Sequence, residues 1–408
     1  MQRQELIPHL FRTEFRKITA VLSKLMGIEH IETAEDIASD TFLSAVESWP
    51  YQGIPPNPTA WLYSVAKNKA RNHIVRNHIF DNKVAPQITQ SAEENQGIEI
   101  DLSDKNISDS QLQMLFAICH PSIAIEAQIG LALRILCGFG IDEIANAFLS
   151  NKETINKRLF RAKEKLRTEK VAIEFPAEAE IQQRLAAVLR TLYLLFNEGY
   201  YSETQDTVLR NDLCLEAMRL TYLLIENEST NLPEVKALLS LMCFHASRFE
   251  ARKNANGEIV LYQDQDESLW NKELIEKGAY YLHEASQGTQ LSKYHLEASI
   301  AYWHTIKADT PQKWESILQL YNKLLVIEYS PIAALNRTFA LSKVYGKTKA
   351  IVEAEKLKLV VNPYYFTLLG ELYKEIDRAK AKENFQAAYN LAKTVADKHV
   401  IWKQIEGL

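Results

Sequence analysis

Helical periodicity is the feature that leaves this chain the fewest ways to fold. Along nearly all of it apolar residues recur at intervals of three and four, the spacing that lines one face of a helix, while the β-branched alternation of strands is hard to find. Glycine, which weakens helix interiors, occurs 13 times in 408 residues. The expected fold is all-α. At roughly 150 residues per domain, the length predicts two or three domains, each able to bury a core.

The charge balance restricts how such a chain can meet a polyanion. A net charge of -5 rules out coating nucleic acid through the whole surface, so any such contact must come from a local patch. The first residues, "MQRQELIPHLFRTEFRK", carry charges throughout with no apolar core and small-residue cleavage site, so no signal peptide is expected there. No apolar run approaches the roughly 18 residues that span a bilayer, so a cytoplasmic protein without membrane contact is expected. Cys119, Cys137, Cys214 and Cys243 lie far apart with no metal or redox spacing, which suits reduced, buried thiols.

Three blocks separate by charge. In residues 5–79, "IEHIETAEDIASDTFLSAVESWP" carries Glu29, Glu32, Glu35, Asp36, Asp40 and Glu47, and no Lys or Arg occurs between Glu29 and Ala66. Thr33 with Asp36 reads as a capping box opening a helix whose apolar face is Ile37, Phe42, Ala45 and Val46. Pro55, Pro56 and Pro58 form a stiff turn, after which "AWLYSVAKNKARNHIVRN" places Lys67, Lys69, Arg71 and Arg76 on a second helix. Trp61 begins an apolar face with Val65 there and reads as core rather than as a base-stacking ring. Residues 80–108 lose periodicity and read as a flexible, acidic linker.

In residues 109–172, Ile141–Phe148 predicts a short helix, Leu149 and Ser150 a turn, and Ser150 with Glu153 a capping box for the next helix. Ile155, Leu159, Ala162 and Leu166 form its apolar stripe. Between Ser150 and Lys170 stand eight Lys/Arg against three Glu. Two helices joined by a tight turn, the second apolar on one side and basic on the other, is the helix-turn-helix design. The charges alone leave a solvated face and a DNA-reading face both open.

Residues 176–408 read as a long helical succession, with turns at Asn227–Pro233, Asn254–Gly257, Asp309–Pro311, Ser330–Pro331, Tyr345–Gly346 and Asn362–Pro363. Leu369, Gly370 and Tyr373, followed by Ala381, Phe385 and Ala388, have the small-and-aromatic pattern of a tetratricopeptide-like helix pair, one residue short of the standard interval. No catalytic constellation stands out, and neither an enzyme nor a cofactor is expected. Asp264, Asp266 and Glu267 lack the glycine and terminal Glu of a calcium loop and read as a capped helix start. His245 and His304 fall in apolar patterns and read as core.

Taken together, "AEDIASDTFLSAVESW", "PTAWLYSVAKNKARNHIVRN" and "GFGIDEIANAFLSNKETINKRLFRAKEKLR" resemble the two conserved blocks of bacterial RNA polymerase sigma factors of the extracytoplasmic-function class. The segments "LRTLYLLFNEGYYSE", "DLCLEAMRL", "YQDQDESLW", "YHLEASIAYWH" and "SPIAALNR" further resemble the subgroup with a long C-terminal helical extension. The resemblance implies two small helical domains, region two and region four, then a regulatory extension. It implies core RNA polymerase as partner through its β′ clamp helices and β flap, with Glu35, Asp36, Asp40 and Glu47 as the contacts to the clamp. It assigns minus-ten promoter DNA to Lys67, Asn68, Lys69, Arg71, Asn72 and Arg76, although many relatives carry Asp where Asn72 stands. For the minus-thirty-five element, Lys152, Glu153, Thr154, Asn156, Lys157 and Arg158 are placed for base edges, while Arg161, Lys165 and Arg167 suit phosphates. The extension is expected to regulate the sigma part in cis or to meet a regulatory protein. The rival reading is a one-component DNA-binding regulator whose helical domain senses a ligand or partner.

Overall fold

A computed structural model of the chain describes residues 3–84, 99–200, 207–252, 260, 262–288, 290–392 and 395–408. Among them every regular element is helical. The α-helices are α1 (Arg3–Met26), α2 (Ile31–Gln52), α3 (Pro58–Val84), α4 (Asp104–Ile118), α5 (Ile125–Leu131), α6 (Ile141–Ala147), α7 (Lys152–Thr168), α8 (Glu178–Tyr200), α9 (Thr207–Glu226), α10 (Pro233–Ala246), α11 (Lys272–Ala285), α12 (Lys293–Trp303), α13 (Pro311–Ile327), α14 (Pro331–Tyr345), α15 (Lys347–Leu357), α16 (Pro363–Tyr373), α17 (Arg378–Leu391) and α18 (Val395–Glu406). They form two compact units, 1–230 and 231–408.

In the first unit, α1, α2 and α3 close on Phe15, Ile18, Leu22, Phe42, Trp49 and Leu62. The capping box expected at Thr33 and Asp36 does not form. α2 starts earlier, at Ile31, and His30 at its N-cap makes no side-chain cap. Starting there puts Ile31, Ala34, Ile37 and Ala38 into the core in one register, and such burial outweighs the roughly 1 kcal/mol of a cap. Val46, expected on the apolar face, is exposed.

Part of the expected linker is ordered. Ile100, Leu102 and Ile107 are buried against α1–α3, and Ser103 caps α4 by accepting from the Asn106 amide. Three apolar side chains among the polar ones suffice to pin this stretch. Residues 85–98 lie outside the described residues.

The first unit also takes in α8 and α9, and the division between the units falls at 230/231. Polar contacts reach across the sequence to hold these helices. Arg184 donates to the Phe116 carbonyl at 2.7 Å, and Thr191 donates to Gln128 Oε1 at 2.8 Å. Arg219 bonds the Leu136 carbonyl at 2.8 Å and Gln111 Oε1 at 3.2 Å.

The second unit is assembled mainly from neighbouring helices. Pro233, Pro311, Pro331 and Pro363 open α10, α13, α14 and α16, where a missing N–H costs nothing. Thr310, Ser330 and Asn362 cap three of these helices. Between α16 and α17, Leu369, Gly370, Tyr373, Ala381, Phe385 and Ala388 are buried together. A Cβ on Gly370 would stand 2.7 Å from the Phe385 ring, so only glycine admits that approach. Gly278 repeats the arrangement against Phe244. The turn expected at Asn254–Gly257 lies outside the described residues.

Candidate functional site

The candidate site is built on three helices of the first unit. α3 buries Leu62, Ala66 and Ala70, one residue per turn, against α1 and α2. Tyr63 ties it to α1 by donating to Glu14 Oε2 at 2.6 Å, and burial with that carboxylate pushes the Tyr63 hydroxyl well up. The remaining face exposes Asn68, Arg71, Asn72 and Arg76, with Lys67 and Lys69 half-buried beside them. Trp61 packs edge-on to Trp49 at 5.4 Å, as the core reading expects. α3 thus presents cations and amides on one side of a fixed rod.

α6 and α7 make the tight helical corner. Gly140 donates its N–H to Glu143 Oε2 at 2.7 Å at the start of α6. Leu149 takes a φ of 46° in the turn, and the Ser150 amide closes on the Ala145 carbonyl at 2.8 Å. The cap of α7 is Asn151, which accepts from the Thr154 amide at 2.8 Å, and not Ser150, whose amide the turn already uses. Ile155, Leu159, Ala162 and Leu166 are all buried, as their spacing predicts. Gly130 of α5 lies under them, so close that a Cβ would meet Leu159 at 2.9 Å.

Lys152, Glu153, Thr154, Asn156, Lys157, Arg161 and Lys165 face solvent, and Arg158 lies half-buried over the Phe148 ring. Lys152 pairs with Asp142 at 3.0 Å, Lys157 with Glu153 at 2.6 Å and Lys165 with Glu169 at 2.7 Å. Such exposed pairs hold each other weakly.

The acidic helix divides. Asp36, Asp40 and Glu47 of α2 are exposed. Glu35 is 6% exposed. Its carboxylate accepts from Arg134 Nε at 2.7 Å and from Lys163 Nζ at 2.6 Å. Glu32 pairs with Lys163 at 3.3 Å and also with Arg167. The structure thus gives Arg167 two carboxylate partners, Glu32 and Glu164, where a phosphate contact was expected.

Periodicity and charge give Lys163, Arg134 and Arg219 no role of their own. Lys163 carries a usable signal, for it stands four residues after Leu159 and three before Leu166, on the border of the buried stripe. Arg134 carries one too, as a lone cation inside "IGLALRILCGF".

Elsewhere, Asp266 accepts from the Ser268 amide at 2.9 Å and caps a 3-10 turn, Glu267–Leu269. Among the described residues no group of three or more His, Cys, Asp or Glu is placed to hold a metal, and no helix is long and apolar enough to cross a membrane. The four cysteines are free and buried, and burial pushes the Cys119 and Cys243 thiols up to about 12.

Comparison with known proteins places families on this architecture. Sigma-70 region 2 matches residues 10–78, which hold α2, most of α1 and most of α3. A family of unknown function, DUF6596, matches residues 184–286. An uncharacterized protein of Rhizobium meliloti (strain 1021) is 33% identical over 393 residues, covering 94% of this chain and 92% of that one. No solved structure matches the chain.

Proposed function

The chain belongs to the same family as the Rhizobium meliloti protein and carries a sigma-70 region 2, and from that premise we propose a promoter-specific sigma factor of the extracytoplasmic-function class with a fused regulatory extension. A sigma-70 region 2 implies core RNA polymerase and promoter DNA as partners and a role in transcription initiation. The finer assignments extend that premise. The observation that carries them is the coexistence, in one unit, of a region-2 rod exposing Asn68, Arg71, Asn72 and Arg76 and a helix-turn-helix exposing Lys152, Lys157, Arg161 and Lys165.

In this reading α3 holds and receives the minus-ten element. Cationic side chains bind its phosphates, and amides meet bases once they unstack. The first turn of α7, with Lys152, Glu153, Thr154, Asn156, Lys157 and Arg158, reads the minus-thirty-five element from the major groove, while Arg161 and Lys165 take phosphates. Asp36, Asp40 and Glu47 offer an acidic rim to the clamp of the polymerase, which sets register and on-rate. The extension, tetratricopeptide-like at α16–α17, acts in cis. The support for this is that α9 already holds α1, through Arg12–Asp212 at 2.6 Å and the Arg16–Glu216 pair. Such a protein works in the cytoplasm.

The test is transcription in vitro by core polymerase with the full-length chain on a randomised promoter library. Initiation from a defined two-part motif, dependent on core polymerase, is the expected result. Specific binding of the free protein to duplex promoter DNA, with no stimulation of initiation, would replace this reading with a one-component regulator.

A further inference from the structure

Glu32 and Glu35 sit near the start of α2, on the helix that carries the acidic rim, and both are engaged from inside the chain. Lys163, on α7, reaches both carboxylates, Arg134 completes Glu35, and Arg167 closes on Glu32. Lys163 is 8% exposed, whereas Lys152, Lys157, Arg161 and Lys165 on the same helix are open to solvent. Its inward direction follows from packing, because Leu159 and Leu166 flank it in the stripe that buries α7.

We propose that Glu32 and Glu35 form a docking face used in turn by α7 of this chain and by a cationic surface of core polymerase, so that Lys163, Arg134 and Arg167 latch the chain closed until α7 leaves. The polymerase half of this proposal rests on the sigma-factor reading, and the latch itself does not. A carboxylate that accepts from two cations at 2.6 and 2.7 Å and is almost wholly buried has no room for an external cation. The two uses exclude each other. An ion-pair cluster with Glu35 and Lys163 buried at its centre suits such an exchange, since those two charges surrender their hydration on closing and regain it on opening. Closing therefore yields geometric specificity at little net stability. An external partner supplying comparable cations can displace α7, and the displaced helix is then free to meet DNA.

The test joins amide hydrogen exchange on the full chain with its binding to core polymerase, for the parent protein, Lys163→Gln and Lys163→Glu, each checked for folding by circular dichroism. The expected result is exchange at least about tenfold faster in the first turns of α2 and in α7. Apparent Kd for core polymerase should fall by about tenfold, because affinity scales with the fraction of competent molecules, and Lys163→Glu should exceed Lys163→Gln. Unchanged exchange in a folded variant overturns the latch. Faster exchange with unchanged or weaker polymerase binding overturns the shared use of the face. If both variants open as expected but neither they nor the parent bind polymerase, the latch stands and the sigma-factor reading fails. Should Lys163→Glu not fold, Arg167→Gln, which removes only the Glu32 arm, carries the same comparison with a smaller shift.

Discussion

The two units hold their helices together by different means. In the first, side chains far apart in sequence meet as ions: Arg12 with Asp212, Arg16 with Glu216, Arg134 and Lys163 with Glu35. In the second, the ion pairs join elements close in sequence, such as Lys236–Glu284 and Lys293–Glu328, and Gly278 and Gly370 each pack closely against an aromatic ring. Ring-on-glycine packing has one good arrangement, and any shift opens a void. Ion pairs at helix borders can be exchanged for water or for another charged partner.

The contrast can be attacked at its strongest point. Phe385→Ala empties the ring that Gly370 accommodates and should cost the second unit about 3–5 kcal/mol. Urea denaturation followed by hydrogen exchange should show loss of protection in α16 and α17 with α1–α9 unaffected. A uniform loss across the chain would contradict separate scaffolding.

In the first unit, Glu35→Gln keeps the shape and leaves Lys163 and Arg134 facing a neutral amide, at a cost of about 2–4 kcal/mol. The figure sits below that for a fully isolated buried charge because Glu32 stays 3.3 Å from Lys163 and Arg134 is partly solvated. A urea midpoint unchanged from the parent would show that the cluster contributes nothing to closure.

Acid should distinguish the units. Burial, with Arg248 and Lys313 nearby, pushes His304 down from 6.5 to about 3, and burial holds His245 well below its ordinary value. Below pH 6.5 the unfolded chain binds protons that the folded chain refuses. Stability contributed by the His304 imidazole is therefore present above pH 6.5 and lost as pH falls toward 3, at about 1.4 kcal/mol per pH unit, and His245 acts in the same direction. Hydrogen exchange at pH-corrected rates between pH 7 and 5 should show α10 and α12 losing protection, and His304→Gln should reduce the slope.

The smallest effect on stability should come from the outward face of α7. Arg161→Ala should change the melting free energy by less than about 0.5 kcal/mol, as expected for an exposed position. It should weaken promoter binding across sequences and reduce the salt slope by about one. An unchanged salt dependence of polymerase-dependent promoter binding would remove Arg161 from the DNA face.

Much of this was legible in the sequence for a local reason. The Ile155, Leu159, Ala162, Leu166 stripe places α7 and its outward cations, because a helix's facing is fixed by residues within two turns of each other. Leu369, Gly370 and Phe385 announce their own contact over a short interval. What failed also failed locally: Ser150 and Asn151 are both competent caps, and it is Asn151 that accepts from the Thr154 amide. Glu35 looked no different from Asp36 or Asp40.

The amino-acid sequence by itself determined the all-α class, the order of acidic helix, basic helix and helix-turn-helix, and the buried stripe of α7, since each follows from periodicity and charge along the chain. Only the tertiary structure decided that α8 and α9 belong with the first unit and that Glu35 closes on Arg134 and Lys163. Those partners stand 99 and 128 residues away, and no periodicity in a sequence reports a contact at such a separation.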